Sequence, residues 1–165
     1  RHYKMVQRSD ATLDSRYIQT PEDWLETLRF SITSGTTFRI EPTSTDDLIQ
    51  LRAAANNESG RPRFYANAGN ELEVFPTPDT EYTMQLMYYG KTPELSATNT
   101  YNWLLRDAPD AYLYGSLVQS APYLNDDART QVWASLYSTA MQSLQKSSDE
   151  NRFARSGLRM RASGY

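Results

Sequence analysis

Cysteine is absent from the 165-residue chain, and histidine occurs once, as His2. The first absence excludes disulfide bridges, thiolate metal ligands and cysteine nucleophiles. The second leaves a Ser-His-Asp triad with only a terminal histidine as its base. No apolar run approaches the roughly 20 residues that a membrane-spanning helix needs, and no signal-peptide pattern opens the chain. We therefore expect no catalytic residue, no cofactor, no metal site and no membrane contact.

Paired carboxylates are the remaining candidates for acid–base chemistry. The pairs are Asp46/Asp47, Glu71/Glu73 and Asp126/Asp127. Two of them begin predicted helices, where the N-terminus favours negative charge, and Glu71/Glu73 lies on the outward face of a predicted strand. A glycosidase would need such a pair at a defined separation, but no other residue pattern supports one. The sequence thus predicts a protein that is not an enzyme.

Few residues are hydrophobic, and the chain is mildly acidic. The hydrophobic share is 39%, the mean hydropathy is -0.70 and the net charge is -3. The acidic balance argues against a dedicated DNA-binding protein, which needs clustered Lys and Arg. The twelve tyrosines and three tryptophans fit a small core and a subunit interface equally well. Tyr65, Tyr89 and Tyr101 are candidate stacking platforms for bases or sugars, although cross-strand packing or a subunit contact explains them better.

The N-terminal half reads as short strands around one helix. Alternating apolar and polar residues predict strands over 16–20, 27–33, 36–41, 63–66, 71–75 and 81–89. Ser44 followed by acidic residues predicts the start of a helix. Residues 21–26 are interpreted as one tight helical turn, and Arg1–Ser15 as an extended or partly helical arm.

The C-terminal half reads as an antiparallel helical hairpin. Asp107 is a candidate N-cap for a helix with Pro109 in its first turn, which Pro122 limits, and Asn125 or Asp126 would cap the next helix. Apolar residues at helical spacing predict the packed faces; they are Leu113, Leu117, Ala121 and Leu124, then Val132, Trp133, Leu136, Tyr137, Ala140, Met141 and Leu144. The predicted fold is α+β, with a C-terminal antiparallel α-helical hairpin or bundle, a small antiparallel β-sheet insertion and an extended C-terminal arm.

The predicted boundaries place one α+β domain over residues 1–150, with a β-rich part over about 16–90 and a helical core over about 98–150. The last segment, 151–165, is basic and contains no acidic residue. It could be a solvated end, a phosphate-binding arm or an arm that docks into an acidic, partly apolar groove. Apolar anchors between the arginines favour docking. The candidate partner-binding residues are Arg152, Phe153, Arg155, Leu158, Arg159, Met160, Arg161 and Tyr165.

A run of short motifs between Glu81 and Leu144 carries a family resemblance. An aromatic-ended strand leads to a Leu-Ser turn, an Asn-Trp-Leu-Leu segment and an Ala-Pro-Asp helix start, followed by Tyr-Gly, by Ala-Pro-Tyr-Leu and by an acid-capped helix containing Trp133. This order resembles the adaptor, or head-to-tail connector, proteins of tailed bacteriophages. The resemblance is close over Glu81–Leu144 and looser from Arg16.

The resemblance implies a structural protein of the virion neck, made in the host cytoplasm. Its subunits would form a homo-oligomeric ring of about twelve copies, joining the portal above to tail or nozzle proteins below. The ring would line or seal the DNA channel, with passing contact with double-stranded DNA and none with a membrane. The C-terminal arm would reach the portal. The alternatives are a tail-tube or tail-completion subunit, and a nucleic-acid-binding module that uses the Arg-rich tail.

Overall fold

The computed structural model describes residues 1–124 and 127–153. The chain divides into two compact units: Val6–Lys91 form one, and Arg1–Met5 together with the chain from Thr92 onward form the other. The first is built on a β-sheet and the second on helices.

Seven strands make up the sheet of the first unit. They are β1 (Val6–Leu13), β2 (Tyr17–Gln19), β3 (Trp24–Ile32), β4 (Phe38–Pro42), β5 (Phe64–Ala68), β6 (Glu71–Phe75) and β7 (Tyr82–Gly90). Their spatial order is β1-β7-β3-β4-β5-β6-β2. Neighbouring strands are antiparallel except β4 and β5. These two are parallel, and the connection between them contains helix α1 (Thr45–Ala54).

Every strand contributes side chains to one hydrophobic core. Phe30, Ile32, Ile40 and Val74 have no exposed surface, and the predicted inward face of β7 is confirmed by buried Met84, Leu86 and Tyr88. Leu13 of β1 and Ile18 of β2 join the same core, although these strands are the two edges of the sheet. A sheet whose edges face a common interior must curl, so the unit is a nearly closed, barrel-like sheet.

The predicted fold class is therefore wrong. The sheet is the largest structure in the described chain, whereas the sequence suggested a helical hairpin carrying a small β insertion. Arg1–Ser15 was assigned to an arm, yet Val6 to Leu13 form an eight-residue strand paired with β7 from Val6↔Tyr89 to Leu13↔Tyr82. Only Leu13 is buried in this strand, so it lacks the alternation by which a strand is recognised.

The predicted helical turn over residues 21–26 was also wrong in its second half. A backbone hydrogen bond from Trp24 N to Pro21 O closes a turn, and β3 begins at Trp24 itself. Asp23 then faces β7, where its carboxylate accepts a hydrogen bond from the Tyr88 hydroxyl at 2.9 Å. Burial, followed by the Asp23 carboxylate, raises the pKa of Tyr88 to about 12. The start of β3 is thus fixed by a contact with a residue 65 positions away.

Helix α1 covers the outer face of β5 and β6. Its predicted cap is confirmed, because the Ser44 side chain accepts a hydrogen bond from Asp47 N. Leu48 is fully buried against Ala66 and Phe75. One turn later Arg52 reaches Glu73 of β6, so the outward face of this strand is buried beneath the helix.

Within the described residues, the second unit contains a short 3-10 helix (Tyr3–Met5) and three α-helices: α2 (Trp103–Asp107), α3 (Pro109–Leu124) and α4 (Asp127–Phe153). Pro122 lies inside the last turn of α3. The predicted caps Asn125 and Asp126 lie outside the described residues. Helix α4 has 27 residues and continues to Phe153, so residues 151–153, which were assigned to the arm, are helical.

Candidate functional site

Asn102 joins the loop after β7 to helices α2 and α3. Its side-chain oxygen accepts a hydrogen bond from Leu105 N at 2.9 Å and so caps α2. Its amide nitrogen donates to Pro93 O and to the Tyr112 hydroxyl, both at 2.8 Å. Asn102 is 4% exposed, and buried polar groups satisfied in this way hold a single arrangement. Helix α2 is therefore held beside the first turns of α3.

The first five residues lie against α2 and α4. Ser148 of α4 is fully buried; its hydroxyl accepts a hydrogen bond from Tyr3 N and donates one to Arg1 O. The imidazole of His2 stacks on the Trp103 ring, with 4.7 Å between centroids and 14° between planes. Burial, followed by the Lys4 charge, lowers the pKa of His2. The only histidine of the chain thus occupies a packing position.

Lys4 and Asp107 form an ion pair that ties this segment to the end of α2. Asp107 also accepts a hydrogen bond from Arg106 Nε at 2.9 Å. The Arg106 guanidinium, followed by Lys4, lowers the pKa of Asp107 to about 2. Asp107 was expected to cap α3, but it is the last residue of α2 and is engaged by these two cations.

We expect the N-terminal segment to loosen in acid as Asp107 becomes protonated. A carboxyl with a lowered folded-state pKa contributes stability that is complete above its ordinary value of 3.8 and is lost as the pH falls through about 2. In a variant with Trp24 and Trp133 replaced by Phe, the fluorescence of Trp103 should change between pH 4 and about 2. Asp107→Asn should remove this step and Asp110→Asn should keep it. A step that persists in Asp107→Asn, with the far-ultraviolet circular dichroism unchanged, would contradict the assignment.

The middle of the α3–α4 pair carries no charge on any side. No Asp, Glu, Lys or Arg occurs over 111–124 or over 131–145, in a chain of which 22% is charged. Large apolar side chains are nevertheless exposed there, among them Leu113 (52%), Val132 (57%), Leu136 (39%), Tyr137 (37%) and Met141 (43%), with Tyr123 (89%) near the end of α3. Depletion of charge with retention of aromatic and aliphatic residues is typical of a protein–protein interface core. This surface is the candidate interaction site.

On one side, the surface forms a groove of about 430 Å³ between the helices. Its lining includes the apolar residues Leu104, Ala111, Val118, Tyr137 and Met141, together with the uncharged Tyr112, Gly115, Ser116 and Gln119. Gly115 lets the α3 backbone come close to the Tyr137 ring, because a Cβ atom at this position would lie only 3.2 Å from Cε2 of Tyr137. The groove is therefore shaped by a close approach of the α3 backbone to an aromatic ring.

Val132 and Leu136 lie on a different side of α4 from Tyr137 and Met141. At 100° per residue the two pairs are separated by about 140° around the helix axis. On α3, Leu113 lies about 150° from Ala111, Gly115 and Val118, which line the groove, by the same count. Leu113, Val132 and Leu136 do not line the groove. The hairpin thus exposes two distinct apolar surfaces.

Comparison with known protein families identifies the family of this chain. The model of the family described as SU10 adaptor protein matches residues 1–161. The chain belongs to this family. It is a family of phage head-tail adaptors, so the resemblance found in the sequence is confirmed. Comparison with curated proteins gives no match.

The adaptor's predicted docking residues fall mostly outside the described part of the chain. Arg152 and Phe153 are at the end of α4, but their side chains are outside that part. Arg155, Leu158, Arg159, Met160, Arg161 and Tyr165 lie outside the described residues altogether. Docking by this arm remains a prediction.

Three described carboxylates of the predicted pairs make structural contacts. The Asp47 carboxylate accepts a hydrogen bond from the Ser44 hydroxyl, Glu71 accepts one from Gln19, and Glu73 pairs with Arg52 and Arg16. Tyr65 and Tyr89, expected to be exposed, are buried at 7% and 3%. Across residues 1–124 and 127–153, no cluster of His, Asp and Glu could hold a metal ion, and no helix is long and apolar enough to cross a membrane.

Sequence reasoning found the apolar stripe of α4 but missed its exposure. The stripe was expected to pack within the hairpin, yet only part of it contacts α3 in this adaptor. The charge-free runs of both helices were the available signal, because a helix pair facing solvent normally carries charged residues on its outer sides.

Proposed function

We propose that this adaptor-family chain is a structural subunit of a ring that joins the portal at the capsid vertex to the tail. The observation that carries the proposal is the uncovered, charge-free apolar surface of α3 and α4 in a member of a head-tail adaptor family. Monomeric proteins rarely leave large contiguous apolar patches in water. Neighbouring subunits of a ring would cover this one, and such a role needs no catalytic residue.

The charge of the β unit is compatible with a ring that surrounds DNA without binding it tightly. Val6–Lys91 contain eight Lys and Arg against thirteen Asp and Glu, a net formal charge of -5. Like charge between a channel wall and DNA phosphates keeps the DNA mobile. This distribution supports a role in lining or sealing the channel.

The Arg-rich C-terminal arm would dock on the portal. Arginines at 152, 155, 159 and 161 would pair with portal carboxylates, which fixes the register of a contact more than it raises affinity. The apolar residues between them would supply the buried area.

Assembly with purified portal tests the proposed function. Native mass spectrometry and negative-stain electron microscopy should show rings of the full chain attached to the portal. A variant ending at Asn151 should lose portal attachment while keeping its fold. A full chain that neither forms a ring nor joins the portal would contradict the proposal, and attachment to tail proteins alone would indicate a tail-completion subunit.

DNA affinity separates the remaining alternative, a nucleic-acid-binding module that uses the tail. A phosphate-binding arm would give an affinity that falls steeply with salt concentration and is lost on deletion of residues 152–165. We expect weak DNA binding before and after this deletion, measured by fluorescence anisotropy at several salt concentrations.

A further inference from the structure

We infer that the two apolar sides of the hairpin are complementary halves of one contact between copies of this chain. The groove side is defined by Leu104, Ala111, Val118, Tyr137 and Met141, and the ridge side by Leu113, Val132 and Leu136. The ridge side of one copy packs into the groove side of the next. The inference rests on the proposed ring and names the surfaces that build it.

Charge favours a second copy as the occupant of the groove. A charged partner would have its ions desolvated against a surface that offers none in return, which is costly. The ridge side belongs to the same uncharged runs, 111–124 and 131–145. Charged residues occur only outside these two runs; Asp110 directly precedes the run on α3, and Lys146 directly follows the run on α4. Each side therefore presents to the other a surface without formal charge.

Shape distinguishes this contact, which joins two different surfaces of neighbouring copies, from a two-fold symmetric dimer. Two grooves facing each other would enclose the volume of both, each about 430 Å³, and unfilled apolar cavities are unfavourable. Branched side chains at Leu113, Val132 and Leu136 can fill one groove as ridges fill grooves between packed helices. Because both sides are present on every copy, the contact is heterologous and propagates until a ring closes.

The hairpin is large enough to supply most of such a contact. Helix α3 has 16 residues and is about 24 Å long at 1.5 Å per residue. A side two helices wide and of that length presents roughly 500 Å², against about 800 Å² per partner in a standard interface. Each subunit of the ring would use both sides.

Cysteine cross-linking tests the pairing directly, because the natural chain contains no cysteine. The test uses the full chain with Met141→Cys on the groove side and Leu136→Cys on the ridge side, under mild oxidation. The two single variants mixed together should give a covalent dimer, at roughly tenfold the yield of either alone, since a disulfide needs Cβ atoms about 4 Å apart. The double variant should give a ladder of oligomers.

Gln142→Cys is the matched control, because residue 142 is exposed on α4 beside Met141 but on neither side of the proposed contact. The pairing would be overturned if either single variant alone gave as much dimer as the mixture, or if Gln142→Cys cross-linked to Leu136→Cys as well as Met141→Cys does. Rings visible by negative stain without the ladder would overturn the pairing and leave the proposed function standing. Absence of rings, of portal attachment and of cross-links would refute both.

Discussion

Replacing Glu73 by alanine is expected to lower the free energy of unfolding by about 3–5 kcal/mol, the usual cost of removing one partner of a buried ion pair. Glu73 is 4% exposed and Arg52 is 7% exposed. Glu73 Oε1 accepts hydrogen bonds from Arg52 Nη2 at 3.1 Å and from Arg16 Nε at 2.8 Å. Without this carboxylate the guanidinium of Arg52 remains buried between α1 and strand β6, and no negative charge compensates it. Arg52 Nε already has no hydrogen-bond partner there.

Urea denaturation followed by circular dichroism measures this loss, and two further variants make it specific. Glu71→Ala removes a carboxylate from the same strand and the same face, but one that is only partly buried, so a change below about 1 kcal/mol is expected. Combining Arg52→Met with Glu73→Leu removes both charges and should recover most of the loss, because apolar replacement of a buried pair is often neutral. A double variant as unstable as Glu73→Ala would show that the charge of Arg52 is not the cause.

Replacing Phe30 by alanine is expected to cost about 3–5 kcal/mol through lost burial and the cavity that remains. Phe30 is fully buried in the C-terminal part of β3, where it pairs with Leu86 of β7 and Ile40 of β4. Its ring meets Tyr65 of β5 edge-on, with 5.3 Å between centroids. The side chain thus contacts strands from both halves of the curled sheet, which leaves little room for the site to collapse.

Chemical denaturation should show this loss as a lower midpoint with an unchanged slope. Ile49→Ala, at an α1 position that is 54% exposed, is the control and should change stability by less than about 1 kcal/mol. A Phe30→Ala protein with the stability of this control would mean that the sheet does not close around Phe30.

Local signals predicted many of the individual strands and helices correctly, but not the fold class. The three strands between Phe64 and Gly90, the helix capped by Ser44 and the helices of the C-terminal half all follow from alternation, helical spacing and capping residues, although β7 pairs with β1 and β3 and not with β6. In each case the signal that identifies the element lies within the element or a few residues from it. Strand β1 was missed because its stability comes from β7, to which Val6 is joined across the chain at Tyr89.

The candidate interaction surface was only half predictable. The apolar spacing from Val132 to Leu144 is a property of the sequence, but its division into a packed and an exposed part depends on how much of α4 is covered by α3. The contacts that position α2 and the first five residues could not be predicted from a local sequence pattern either. Ser148 binds Tyr3 from 145 residues away, and His2 stacks on Trp103.

The sequence by itself excluded disulfide bridges and cysteine chemistry and indicated the family of this adaptor, because both depend on which residues are present and in what order. Only the tertiary structure decided that the sheet outweighs the helices, that Glu73 is buried beneath α1, and that Leu113, Val132, Leu136, Tyr137 and Met141 remain exposed. These outcomes depend on pairing between distant segments. The free energy of such pairing comes from contacts that no local pattern records.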